Sequence, residues 1–69
     1  MTQRVVIEGM SCEHCAARVR QALTDIDGVS SVVVDLDSAT ATVQSNGEIP
    51  EYTLSEAVSE AGYTLAGIQ

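Results

Sequence analysis

The sequence contains no phenylalanine, no tryptophan and no lysine. Without the two bulkiest apolar aromatics, the core of a 69-residue chain has to be assembled from valine, isoleucine, leucine and alanine, with Met10, Tyr52 and Tyr63 as the larger candidates. A chain of this length buries only about 60% of the surface it exposes when unfolded. It makes one domain at most, expected to span residues 1–69, and leaves no room for a large enclosed active site. A single ion held at the surface fits such a body better than an organic substrate held in a cavity.

Cations are as scarce as aromatics. Three arginines face ten carboxylates, for a net charge of −7, which argues against nucleic acid and anionic membrane as partners. The balance suits a partner with a basic face, plain solubility, or a salty cytosol in which charge steering is screened. A long apolar run is missing too. Val5-Val6-Ile7 stops at Glu8, well short of a signal-peptide core of about 7–15 residues or a membrane span of about 20. Neither a targeting segment nor direct membrane insertion is expected, and the cytoplasm is the expected location. Cysteine is limited to Cys12 and Cys15. The disulfide framework of a small secreted domain uses several, and a bridge across so short a loop would restrict the unfolded chain little. Metal-binding or reactive chemistry in a reducing compartment is the better explanation of the pair.

What is present reads as six elements. Gln3 to Glu8 is rich in β-branched residues and predicts a strand, broken by Gly9-Met10-Ser11-Cys12. Ala16, Val19, Ala22, Leu23 and Ile26 then recur at helical spacing, with Glu13, Arg18, Gln21 and Asp25 on the other side. Ser11 is the expected N-cap, Glu13 suits the positive end of the helix dipole, and Gly28 is the expected left-handed terminator. Val29 to Leu36 predicts a second strand and Ala39 to Gln44 a third, joined as a hairpin through Asp37-Ser38. In the third, Ala39, Ala41 and Val43 fall on one side and threonines on the other. Thr53-Leu54-Ser55-Glu56 has the form of a capping box, with Tyr52 and Ala57 as its staple. Leu54, Ala57, Val58 and Ala61 predict a second helix up to Gly62, and Tyr63 to Ile68 a last strand. The order β-α-β-β-α-β predicts an α+β, ferredoxin-like sandwich: a four-stranded antiparallel sheet with two helices on one face. No internal repeat, linker or low-complexity segment interrupts it.

Chemistry is concentrated in Gly9-Met10-Ser11-Cys12-Glu13-His14-Cys15. The spacing places both cysteines at the junction of a loop and a helix N-terminus and lets both sulfurs turn toward one point. Unpaired N–H groups and partial positive charge at that terminus favour thiolate over thiol, and thiolate is the form that binds metal. Two soft thiolates without an obvious third ligand suit Cu(I). Structural zinc normally takes four ligands, and the chain has one histidine besides its two cysteines. On a helix, His14 and Glu13 should point away from the side that Cys15 uses.

This segment resembles the G-M-[ST]-C-x-x-C signature of heavy-metal-associated domains. Ile26-Asp27-Gly28-Val29 and Ala61-Gly62-Tyr63 fall where that family carries its "DGV" and "AGY" segments, so the likeness covers nearly the whole chain. It is strongest to the CopZ-like copper chaperones and to the N-terminal modules of copper-pumping P-type ATPases. The resemblance implies a βαββαβ fold, Cu(I) bound by Cys12 and Cys15, and transfer through shared, three-coordinate thiolate intermediates. Its implied partner is the metal-binding domain of a copper-transporting P-type ATPase or a copper-responsive regulator. The implied protein is a monomer that copper can bridge into a dimer, and it is not an enzyme. Met10 resembles the methionine that packs beneath the family's metal loop, and a core role is expected of it rather than ligation. Tyr63 matches a tyrosine that prokaryotic members place near the site, although a core residue opening the last strand is an equal reading. Arg18 and Arg20 do not supply the lysine-rich face that some members carry, so steering here must differ.

Members of the family also carry Zn(II), Cd(II) or Hg(II). Zinc and cadmium types often have an acidic residue before the first cysteine, where this chain has Ser11. Outside the family, a glutaredoxin-like thiol–disulfide oxidoreductase could also set C-x-x-C after a first strand, with Ile49-Pro50 as its cis-proline. Against it stand the predicted hairpin of strands two and three, the short chain, and the lack of an aromatic or proline beside the cysteines. A metal-sensing module of a transporter is the remaining alternative.

Overall fold

The computed structural model describes residues 1–69 as β1 (Thr2–Glu8), α1 (Glu13–Thr24), β2 (Val29–Asp35), β3 (Thr40–Ser45), α2 (Glu51–Glu60) and β4 (Thr64–Ile68). The strands form one antiparallel sheet in the order β2-β3-β1-β4. Alternation decides which face is covered. Val5 and Ile7 of β1, Val32 of β2, and Ala41 and Val43 of β3 are buried, together with Val19 and Leu23 of α1 and Leu54 and Val58 of α2. Both helices therefore pack on the same face, and the expected ferredoxin-like sandwich is the fold. Ile49, in the loop before α2, closes the core. Val33, on the opposite side of β2, is 64% exposed.

Three local expectations need correction. The N-cap of α1 is Cys12, in extended conformation and with no side-chain cap bond, rather than Ser11. The carbonyl of Cys12 accepts from the N–H of Ala16 at 3.1 Å, the first helical bond. The capping box at Thr53 is not used either, because α2 begins at Glu51 with Pro50 as N-cap. The Gln3 side chain fixes the preceding residue, donating from Nε2 to the Ile49 carbonyl at 2.9 Å and accepting the Ile49 N–H on Oε1 at 2.8 Å. With Ile49 pinned and the φ of Pro50 set by its ring, the chain turns into the helix three residues sooner. The N–H groups of Thr53 and Leu54 then bond the Pro50 carbonyl. Tyr52 lies on the outer side of α2, 74% exposed, and contributes neither staple nor core. Finally, Ala39 belongs to the β2–β3 turn, with φ +56, and Thr40 opens β3. Thr40 points away from the core face yet is buried, its hydroxyl paired with that of Ser38 at 2.8 Å.

The exit of α2 follows the sequence, whereas α1 ends at Thr24 with Asp25 as its C-cap, and Gly28 is not its terminator but lies in the turn that the Val29 N–H closes on the Ile26 carbonyl at 3.1 Å. Gly28 and Gly62 both take positive φ. At Gly62 the conformation is required: its N–H bonds the Ser59 carbonyl at 3.0 Å, and the Tyr63 N–H bonds the Val58 carbonyl at 3.1 Å. That pair of bonds reverses the chain at the end of α2 through a left-handed residue. It also delivers Tyr63 to the end of the sheet where β1 runs into the cysteine loop, since Glu8 pairs with Thr64.

Candidate metal centre

Strand β1 carries the chain out of the sheet at Glu8, and Gly9 turns it with φ +98. That backbone region strongly favours glycine, and space reinforces the choice, because a Cβ at Gly9 would lie 3.3 Å from Cδ1 of Tyr63. Met10 follows, half-buried and packed against the core cluster. This is the packing role expected of it. Ser11 and Cys12 are exposed, and α1 begins at Glu13.

The two cysteines are brought together as free thiols. Cys12 is exposed at the N-cap, Cys15 is half-buried in the first turn, and their sulfurs stand 3.5 Å apart. The surroundings of Cys15 make its thiol acidic. Its thiol is lowered from 9.0 to about 6, foremost by a hydrogen bond from the Tyr63 hydroxyl, then by the Ser11 backbone and the Cys12 side chain. Partial burial opposes the shift. The same contact appears from the other side: the Cys15 thiolate and burial raise Tyr63, while Arg18 pulls it back down. The site thus presents a stabilised Cys15 thiolate beside the exposed sulfur of Cys12.

No group of three or more histidine, cysteine and carboxylate side chains converges anywhere in the molecule. His14 is exposed between the cysteines and does not join them, and Glu13 is likewise exposed. The centre therefore offers two sulfurs and an open side. Of the two readings of Tyr63, the one beside the cysteines holds, although the ring also packs on the core. Sequence reasoning missed the part of Arg18, considered only as a charge on the surface. Its signal was the spacing: Arg18 lies three residues after Cys15 on the same helix, one turn onward. The Ile49–Pro50 bond is trans, as are all the others, so the constellation of a cis-proline facing a dithiol is not present.

Comparison with known proteins adds identity to this geometry. The chain is 43% identical over 67 residues to the copper chaperone CopZ of Staphylococcus epidermidis, covering 94% of this chain and 98% of that one. It is 44% identical over 59 residues to a mercuric reductase of Acidithiobacillus ferrooxidans, covering 86% of this chain but 11% of the reductase. Among solved structures, it superposes with a TM-score of 0.78 and 38% identity on the N-terminal domain of a potential copper-translocating P-type ATPase from Bacillus subtilis in its Cu(I)-loaded state. That match covers 100% of this chain and 92% of the other. The heavy-metal-associated domain profile matches residues 4–64, and the chain belongs to the heavy-metal-associated domain family.

Proposed function

We propose that residues 1–69 act as one heavy-metal-associated domain, a copper chaperone that binds one Cu(I) between the thiolates of Cys12 and Cys15. It passes the ion by ligand exchange to the metal-binding domain of a copper-transporting P-type ATPase. The observation that carries the reading is the free, solvent-open thiol pair, 3.5 Å apart, with Cys15 acidified to about 6. Two soft anionic sulfurs with no hard third ligand select Cu(I) over the four-coordinate zinc of structural sites. With metal–sulfur bonds of about 2.3 Å, sulfurs at this separation subtend an angle of about 100° at the ion, leaving a broad side exposed. An incoming thiolate from the partner attacks there, a three-coordinate intermediate forms, and one of the two original sulfurs leaves. A second copy of the chain can supply that third thiolate as well, which gives a copper-bridged dimer at partial load. No substrate bond changes, so the protein is a carrier and not an enzyme. Free thiols call for a reducing compartment, and the cytoplasm is the setting that suits this role. Support for copper and for the ATPase partner comes from the chaperone and ATPase relatives.

The likeness to a segment of a mercuric reductase favours a second reading, in which the same two thiolates hold Hg(II). Titrating the reduced protein anaerobically with Cu(I), against a coloured Cu(I) chelator and excess Zn(II), separates the cases. Capture of one equivalent of copper from the chelator with zinc ignored supports the copper carrier. Loss of copper to the chelator, with Hg(II) retained by the same pair, transfers the reading to mercury. Displacement of copper by zinc sinks both.

A further inference from the structure

Strand β2 is an edge of the sheet, hydrogen-bonded to β3 on one side and to no strand on the other. Exposed edges invite an added strand unless charge, proline or a bulge blunts them. Along Val29–Asp35 there is no proline, the single charge is Asp35 at the end, and the irregularity in register falls at the start, between Val29 and Ser31. The second half of the strand, from Val32 to Asp35, is regular. Beside that half, between α1 and β2, lies a groove of about 480 Å³. Ala16, Val33 and Leu36 give it an apolar lining, Glu13, Asp35 and Asp37 give it three carboxylates, and no basic residue lines it. Both β1 and β2 run antiparallel to β3, so they run the same way. The groove therefore opens at the end of the sheet where β1 delivers the cysteine loop, and Glu13 directly follows Cys12.

We propose that this groove and the free edge of β2 form a docking surface for an extended segment of a partner protein in which aliphatic and basic side chains alternate. The segment adds as a further strand: main-chain bonds to β2 supply affinity, and alternate side chains supply selection. Its aliphatic side chains lie on the helix side, over Ala16, Val34 and Leu36 of the groove. Its basic side chains lie on the other face, the one on which Val33 and Asp35 both stand, and there they meet Asp35, with Asp37 just beyond the strand end. A second copy of this chain is a poor occupant, because it has no lysine and carries −7 itself, so like charges oppose the approach. The inference rests on the copper-transfer reading only for its purpose, which is to hold the acceptor beside Cys12.

The test titrates the metal-free, isotope-labelled protein with a capped peptide of alternating valine and lysine, and in parallel with one of alternating serine and lysine. Amide shifts should concentrate at Glu13, Ala16 and Val33 to Asp37, with slowed amide exchange along β2. The serine peptide should bind about tenfold more weakly, from the loss of one well-covered aliphatic contact. The double variant Asp35→Asn, Asp37→Asn should weaken the valine peptide about fivefold, as two exposed ion pairs would. Equal affinity for the two peptides, or shifts spread over every acidic surface, overturns the proposal. So does self-association of the chain through these same residues. Wild type and the double variant are also titrated with Cu(I) against the chelator. Copper binding with no localised peptide binding refutes the docking surface alone, and the converse refutes the copper reading alone.

Discussion

Replacing Tyr63 by phenylalanine keeps the ring and removes one hydroxyl. That hydroxyl is the largest of the influences that bring Cys15 from 9.0 to about 6, ahead of the Ser11 backbone and the Cys12 thiol. Hydrogen bonds to a charged acceptor are the strong ones, but this site is open to water, which takes the lower end of their range. The substitution should raise the Cys15 midpoint by about one pH unit, to about 7. At pH 6 the thiolate fraction then falls from about one half to about one tenth. Alkylation slows less than that, because a more basic thiolate is also more nucleophilic. The Cβ resonance of Cys15, followed by NMR against pH in reduced, metal-free protein, reads the midpoint directly. A midpoint still near 6 in Tyr63→Phe would mean that the other donors carry the shift. A wild-type midpoint near 9 would sink the whole account of the site. The sign of the stability effect follows from the direction. A thiol lowered on folding stabilises the native state above its ordinary value near 9.0, and that contribution is lost as pH falls through about 6. Between those limits, wild type should lose denaturant resistance relative to Cys15→Ser, whose hydroxyl does not titrate.

Cys12→Ser and Cys15→Ser should each abolish tight Cu(I) binding in the chelator competition, while His14→Ala leaves it intact; failure of the histidine variant would overturn the two-sulfur ligand set. Gly9→Ala forces a side chain into φ +98 and toward Tyr63. It should cost about 1–2 kcal/mol in urea unfolding and move the Cys15 midpoint upward as the ring is displaced. Gln3→Ala strips both backbone partners from Ile49, which is 8% exposed. The same assay should show a loss of about 1–3 kcal/mol, and a change below about 0.5 kcal/mol would mean that water replaces the side chain.

The parts of this molecule that were legible in its sequence are those set by periodicity. Val19, Leu23, Leu54 and Val58 recur at helical spacing and are buried. Val32 and Val34 alternate with the exposed Val33, as a half-covered strand requires. Gly62 marks its helix end because so few other residues tolerate the left-handed exit, while Gly28 marks the turn into β2 rather than the end of α1. Helix beginnings were less legible, because a capping signal is local and the winning constraint was not. The start of α2 is decided by Gln3, 46 positions away, which fixes Ile49 and with it the entry through Pro50. Thr53 has the right neighbours for a cap and the wrong place in the fold. At the site, the cysteine pair was legible from spacing, whereas the Tyr63–Cys15 contact needed the resemblance to a family. Nothing in the local sequence says that the residue after Gly62 returns to the loop after β1, since that depends on β4 pairing beside β1.

The core and the cysteine pair are built almost independently, and this bears on how an ion can leave. Neither Cys12 nor Cys15 belongs to the buried cluster, which is closed by strands, helices and Ile49. Two thiolates about 2.3 Å from an ion must part to about 4.6 Å to hold it in a straight line. They stand 3.5 Å apart here, which suits the bent arrangement proposed above, and a straight one would require the pair to part by about 1 Å. Were the cysteines part of the core, each cycle would break packing in a domain whose whole stability is of the order of 5 kcal/mol. Met10 of the loop and Tyr63 beside it both pack on the core, each half-buried. A thioether bends around several rotamers at little cost, which lets Met10 follow the loop. Tyr63 instead follows directly on the exit of α2, and its hydroxyl is the foremost influence lowering the Cys15 thiol. On the copper-carrier proposal, exchange with a partner's thiolate should therefore begin by release of Cys12, the exposed sulfur, rather than of the half-buried and stabilised thiolate of Cys15.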